Sequence, residues 1–285
     1  MRFHASPSEE ASGTPIDTHS VAVVIPAYSP GVSETDRLSL RRCSEVLFPY
    51  PTILLASSDL DVSGHLELVP HARCRRLDGS WFTSRGRYNV LLLSDQFYGL
   101  FADFDFILIH QLDAYVFYDA LNEWVARGYD YVGSPFWADY GQDKAGGLVG
   151  VGNGGFSLRK TAACRRILAQ AATRRTGGLA RRMLLRWRSP YARLEDLREH
   201  ERPGEDLWWS DLAPRVGPFH IAPIEEAVYF AFEMGLDLLG DRYDRRLPFG
   251  CHAAWNLEMI LRLQAGEPPH DDYERSLQGL LERAT

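Results

Sequence analysis

Four groups of polar residues in this 285-residue chain have types suited to chemistry. Asp113 follows the apolar run Phe106-Ile-Leu-Ile109 by way of His110, Gln111 and Leu112. A carboxylate in that position either holds a divalent cation against a phosphate or caps the turn that follows. Gly152-Asn153-Gly154-Gly155 sets two glycines side by side, which lets a ligand approach the backbone closely or lets the chain turn through positive φ. Glu205 and Asp206 stand together ahead of Trp208 and Trp209. A carboxylate within hydrogen-bond reach of a hydroxyl takes its proton as a bond to that oxygen forms. His252 lies three residues before Trp255, an imidazole beside a flat ring.

The elements that must position these groups are legible from apolar runs and periodicity. Phe106 to Ile109 is almost continuously apolar, the mark of a strand buried on both faces of a mostly parallel sheet. His110, Gln111 and Asp113 then fall at its carboxyl end, where open α/β sheets place their ligands. Upstream, Val21 to Ile25 reads as a strand ended by Pro26, and Ser33 to Leu47 as a helix capped by Ser33. Thr52 to Ala56 reads as a strand ending at Ser57, Ser58 and Asp59, Leu66 to Val69 as a third strand, and Arg87 to Phe101 as one helix. This alternation predicts a parallel sheet wrapped by helices.

Downstream, Asp119 to Arg127 is a helix closed by Gly128, and Tyr129 to Trp137 a strand running into an aromatic turn. Ala138 to Gly147 has the polar, glycine-rich composition of a lid. Leu148 to Gly152 is a strand, and Asn153 to Arg159 a tight turn into a helix over Thr161 to Thr173. The Glu205-Asp206 pair is expected to start a helix whose positive end keeps both carboxylates ionised. Ala227 to Met234 reads as a short helix, Pro248 to Trp255 as a loop, and Asn256 to Gln264 and Tyr273 to Leu281 as closing helices.

Composition bounds the function. A hydrophobic share of 45% and a charged share of 24% belong to an ordinary globular protein, and a net charge of -7 argues against a nucleic-acid binder. Cys43, Cys74, Cys164 and Cys251 form no C-x-x-C pair, so they are expected to be free thiols in a reducing cytosol. Residues 1–19 are polar, lack the apolar core of a signal peptide and are expected to be a loose tail; no run of about 18 apolar residues occurs. A cytoplasmic location is expected. From Arg174 to Arg188, six arginines and no acid are interleaved with Leu179, Met183, Leu184, Leu185 and Trp187. Such a segment lies on an anionic membrane at the inner face, or packs its apolar side on the domain.

Taken together, the polar groups resemble the pattern of GT-A glycosyltransferases over residues 20–256. More narrowly, His-Gln-Leu-Asp-Ala-Tyr-Val-Phe, Tyr-Asp-Tyr-Val-Gly-Ser-Pro-Phe-Trp, Gly-Asn-Gly-Gly-Phe-Ser-Leu-Arg and Glu-Asp-Leu-Trp-Trp-Ser resemble a bacterial family of GT-A type filed as a domain of unknown function. The resemblance implies an α/β, Rossmann-like, mostly parallel central sheet flanked by helices in a single domain, with an Arg-rich helical insertion over 174–203 and C-terminal helices over 257–285. It implies transfer of a hexose from a nucleotide sugar, UDP-linked, to a glycan or glycoconjugate acceptor. Asp206, with Glu205 as the alternative, is then the catalytic base of an inverting displacement. Pro26, Tyr28, Gln111, Asp113, Asn153, Gly154 and Gly155 would contact the donor, and Asp113 and His252 would hold the metal. Trp137, Trp208 and Trp209 would face sugar rings or serve as core aromatics.

This chain departs from the commoner Asp-x-Asp in having Gln111-Leu112-Asp113, which leaves one carboxylate. His252, water and the donor's diphosphate oxygens would fill the vacant places, a mixed set that favours Mn²⁺ over Mg²⁺. A retaining enzyme and a non-catalytic sugar- or nucleotide-binding module stay open as alternatives. A nucleotidyltransferase would need a glycine-rich loop and a lysine after the first strand, where Ile25-Pro26-Ala27-Tyr28 stands instead. If the 174–188 segment lies on a membrane, each arginine contributes on the order of 1 kcal/mol, so sedimentation with vesicles will require anionic lipid and weaken with salt. Equal binding to neutral vesicles, or to none, removes that role.

Overall fold

The computed structural model describes residues 20–137, 147–174, 204–239, 243 and 246–284. The expectations for the tail over 1–19, the lid and the Arg-rich insertion fall on residues 138–146 and 175–203 or on the tail itself, outside the described residues. Among the described residues, no helix is long and apolar enough to cross a membrane.

The chain opens with β1 (Val21–Pro26), α1 (Glu34–Val46) and β2 (Thr52–Ser57). Ser33 caps α1 as its type predicts: its Oγ accepts from the Asp36 N–H at 3.1 Å, and the Asp36 carboxylate accepts from the Ser33 N–H at 2.9 Å. A short helix α2 (Ser63–Leu66) follows, the strand expected over Leu66–Val69 is instead the end of that helix and a turn, and the third strand is β3 (Arg73–Leu77). As an edge strand β3 needs no apolar run, which is why Arg-Cys-Arg-Arg concealed it. Helix α3 (Arg85–Leu92) and helix α4 (Asp95–Gly99) replace the single helix expected there, because Ser94 turns its hydroxyl onto the Phe97 N–H and starts a new helix.

Next come β4 (Phe106–His110), β5 (Ala114–Val116), α5 (Leu121–Ala126), β6 (Tyr131–Gly133), β7 (Pro135–Trp137), β8 (Leu148–Val151), β9 (Phe156–Lys160) and α6 (Thr161–Arg174). A helix over Glu205–Leu207 passes through a π-helical turn at Trp208–Leu212 into Ala213–Val216. Ile224–Phe230 is helical and leads into β10 (Ala231–Phe232); β11 (Gly250–His252) precedes helices over Ala254–Gln264 and Asp272–Ala284.

The main sheet has the order β3-β2-β1-β4-β9-β6, with only β9 running against the rest. It is the α/β, mostly parallel, helix-flanked sheet the alternation predicts. Alternate residues of each strand feed separate layers: Val23 and Leu108 pack with Leu40 and Leu47 on one face, Val24 and Ile109 with Leu91 and Phe97 on the other. A smaller sheet, β10-β11-β5, covers the end of the main one and packs with the two last helices around Phe232, Leu257 and Leu277.

Two pairings place the site. Antiparallel β9 sets Phe156 opposite His110, so the glycine turn ahead of β9 lies beside the carboxyl end of β4, and the Gln111 N–H donates to the Gly155 carbonyl at 2.8 Å. Antiparallel β11 sets His252 opposite Ala114, immediately beyond Asp113. Neither β9 nor β11 was expected from sequence, where those stretches read as a turn and a loop. The glycine turn is also gripped from behind, since the Tyr131 hydroxyl donates to the Gly152 carbonyl and a Cβ on Gly133 would meet the backbone oxygens of Gly152 and Asn153 at 2.5 Å. Both obstacles are backbone and cannot swing aside. Gly133→Ala should therefore destabilise the protein by about 1–3 kcal/mol, read from its urea midpoint, and an unchanged midpoint would show the turn to be free of β6.

Candidate active site

At the carboxyl end of β4, side chains from three elements converge on His252. Its Nε2 lies 3.0 Å from Asp113 Oδ1 and 3.4 Å from Gln111 Oε1, and its Nδ1 lies 3.8 Å from Glu233 Oε1. Glu233 also accepts from Asn153 Nδ2 at 2.6 Å, and Asn153 in turn accepts the Gly155 N–H at 3.0 Å. Gly155 has no room for a Cβ because the His252 ring fills that space. Backbone ties complete the frame, with the Ala253 N–H donating to the Asp113 carbonyl at 2.9 Å. Ala253 itself has φ of 101°, the one positive φ outside glycine among the described residues, so the chain is strained directly after the histidine.

The charges of this cluster act on one another. Burial would lower the His252 pKa, but the hydrogen bond with Asp113 and the charges of Asp113 and Glu233 outweigh it and raise the imidazolium to about 9. Burial would raise the Asp113 carboxyl, yet His252 brings it below its ordinary value. His110, buried behind the site against Phe156 with neither ring nitrogen hydrogen-bonded, is pushed down to about 4 by burial and stays neutral.

Across the glycine turn the two adjacent carboxylates part company. Glu205 is 4% exposed, and its Oε1 accepts from Arg159 Nη2 at 2.9 Å inside the protein. Arg159, from β9, has no exposure at all; it also donates to Ser157 Oγ, the Tyr98 hydroxyl and the Gly154 carbonyl, with its guanidinium over the Tyr131 ring. Gly154 lacks space for a Cβ because Glu205 occupies it. Asp206 is only partly buried, and its Oδ1 accepts from the Leu207 N–H at 2.9 Å. Burial raises both carboxyls above their ordinary values, against the pull of Arg159 on Glu205 and of the Leu207 N–H and Arg85 on Asp206. The expected effect of the helix end is thus outweighed by desolvation. Asp206 also feels the charge of Glu233, which raises its pKa further.

The other sequence-predicted residues are spread more widely. Pro26 ends β1 and is buried, while Tyr28 lies 42% exposed with its ring edge-on to Tyr88 of α3. Trp209 sits in the core, stacked on Phe219 and edge-on to Tyr98, with no exposed surface. Trp137 is buried too, its Nε1 donating to the Met234 carbonyl at 2.9 Å and its indole against Gly235. Trp208 is half-buried against Trp209. Trp255, three residues from His252 in sequence, is 41% exposed. Sequence reasoning passed over Glu233 and Arg159. Arg159 ends the quoted Gly-Asn-Gly-Gly-Phe-Ser-Leu-Arg motif, but only the fold reveals its partner; Glu233 has no sequence signal.

The donors around His252 suit a divalent cation of borderline hardness. A carboxylate oxygen, an imidazole nitrogen and an amide oxygen converge, and Asp113 is 37% open to solvent. Among the described residues no group of three His, Cys, Asp or Glu side chains could hold a metal, so the remaining positions would belong to ligand oxygens and water.

The fold is that of an α/β protein in which polar side chains converge at the carboxyl end of the central strand. Residues 71–252, more than half of the chain, match the family described as "Protein of unknown function (DUF5672)", and the chain belongs to that family. No curated protein matches it. Among solved structures, the galactosyltransferase LgtC in complex with donor and acceptor sugar analogues is 11% identical with a TM-score of 0.47, covering 90% of this chain and 99% of that one. An active-site mutant of LgtC is 12% identical over the same shares, with a TM-score of 0.46.

The raised imidazolium has a consequence for stability in metal-free protein. A folded-state pKa of about 9 against 6.5 unfolded means that the stabilisation is fully present below 6.5 and is lost as pH rises through 9. Thermal unfolding with EDTA between pH 6.5 and 10 should show a decline on the order of 1–3 kcal/mol that His252→Gln lacks. The same decline in both proteins would detach His252 from it.

Proposed function

We propose that the protein is a glycosyltransferase that moves a hexose from a nucleotide sugar, UDP-linked, to a hydroxyl of a glycan or glycoconjugate, by a single inverting displacement with Asp206 as general base. The observation that carries this reading is the division of labour at one strand end. Asp113 and His252 are grouped on one side of the glycine turn; on the other, Glu205 is neutralised by Arg159 and Asp206 is left partly open with a raised pKa.

In the displacement, the acceptor oxygen bonds to the anomeric carbon as the bond from that carbon to the diphosphate breaks. The electron pair leaves with the diphosphate, and the acceptor proton passes to an Asp206 oxygen. A carboxylate of raised pKa is the better acceptor for that proton. Asp113, His252 and Gln111 would hold a divalent cation, Mn²⁺ in preference to Mg²⁺, which when bound supplies charge stabilisation to the departing diphosphate. Asn153, whose side chain braces the turn, keeps Gly154 and Gly155 close to the donor. Tyr28 lines the same edge. Trp208 and Trp255 offer rings to the acceptor; Trp209 and Trp137 belong to the core.

The test is release of UDP from UDP-hexoses by purified protein, with and without Mn²⁺. Asp206→Asn should fold and lower kcat by about 10²–10⁴-fold, roughly 3–5 kcal/mol of barrier, with donor affinity little changed. Asp113→Asn should abolish Mn²⁺-dependent UDP binding in calorimetry. Transfer at a near-native rate by folded Asp206→Asn would sink the base assignment, and retention at the anomeric carbon would sink the single displacement.

A further inference from the structure

Glu233 has no role in the reading above, yet it stands where the two halves of the site meet. One carboxylate oxygen accepts from Asn153 Nδ2 at 2.6 Å and the other lies 3.8 Å from His252 Nδ1. That nitrogen is buried and has no hydrogen-bond partner. A buried donor without an acceptor costs about 1–3 kcal/mol, so the nearby Glu233 oxygen is its natural partner after a small side-chain adjustment. The other ring nitrogen, Nε2, already faces Asp113 and Gln111. Glu233 is itself fixed from behind: its carbonyl accepts from Asn256 Nδ2 at 2.8 Å and from the Tyr273 hydroxyl at 3.2 Å. Asn256 and Tyr273 are joined by a 2.6 Å hydrogen bond and come from the last two helices.

We propose that Glu233 is a positioning residue for the metal-holding histidine, taking the Nδ1–H of His252 and the amide of Asn153 on one carboxylate, and so presenting Nε2 as a lone pair beside Asp113. This is the carboxylate–histidine arrangement by which outer groups set the tautomer and raise the basicity of a metal-ligating imidazole. It also couples the glycine turn to the histidine. The inference rests on the proposed metal-assisted reading and assigns Glu233 no contact with substrate.

Its test is Mn²⁺ binding by the full chain, followed by electron paramagnetic resonance of the free ion and by the ¹⁴N modulation that a bound imidazole imposes on the Mn²⁺ spin echo. Glu233→Ala should bind Mn²⁺ about 10–100-fold more weakly and lose the nitrogen modulation, while its thermal unfolding confirms a folded chain. Glu233→Gln keeps the shape but offers an acceptor to only one of the two donors, so a smaller loss is expected. That variant decides the matter should the alanine variant fail to fold. Mn²⁺ affinity and nitrogen modulation unchanged in a folded Glu233 variant would overturn the positioning role and leave the metal reading intact. Wild-type protein that binds no Mn²⁺, with or without UDP, would overturn both.

Discussion

A guanidinium without access to water must be neutralised where it lies, and the pairing of Arg159 with Glu205 meets that demand at the junction on which the site is built. Arg159 belongs to the one antiparallel strand of the main sheet, Glu205 to the first turn of a helix after residues 175–203. Breaking such a pair by removing one partner leaves an uncompensated buried charge, a loss of about 3–5 kcal/mol, whereas an exposed pair contributes little. The helix start is thereby fixed against the glycine turn. Asp206, one residue on, owes its place to the ion pair its neighbour makes.

The same turn is held from the opposite side by hydrogen bonds of a different kind. Tyr131 grips Gly152, Gln111 donates to Gly155, and Asn153 bridges to Glu233. Glycine is needed at 154 and 155 for a reason of space, since Glu205 and His252 occupy the volume a Cβ would take. The positive φ that adjacent glycines also permit is not used at either position. A turn that looks like an open cradle in sequence is, in the fold, the contact between two charged clusters.

How far the sequence revealed this depends on what each residue must touch. β1, β2 and β4 are buried on both faces and announce themselves as apolar runs, and Ser33 capped the helix its type foretold. β3 and β9 escaped because their neighbours, not their own residues, make them strands: one is a charged edge, the other hides an arginine in the core. Asp113 and His252 lie 139 positions apart, yet both were expected at one site, and the antiparallel pairing of β5 with β11 sets them together. Nothing local distinguished Glu205 from Asp206, or Trp209 from Trp255. Those pairs differ only in burial, a property of the assembled chain.

The hydrogen bonds from Asn256 and Tyr273 to the Glu233 carbonyl have a dynamic consequence. Cooperative units of a fold open in order of their stability. In the helix bearing Tyr273, Leu277 and Leu280 share a core cluster with Phe232, next to Glu233. An excursion that lifts this helix takes a hydrogen bond from Glu233 before the central sheet is disturbed. Displacement of these two helices and loosening of the histidine cluster are therefore coupled through the Glu233 backbone.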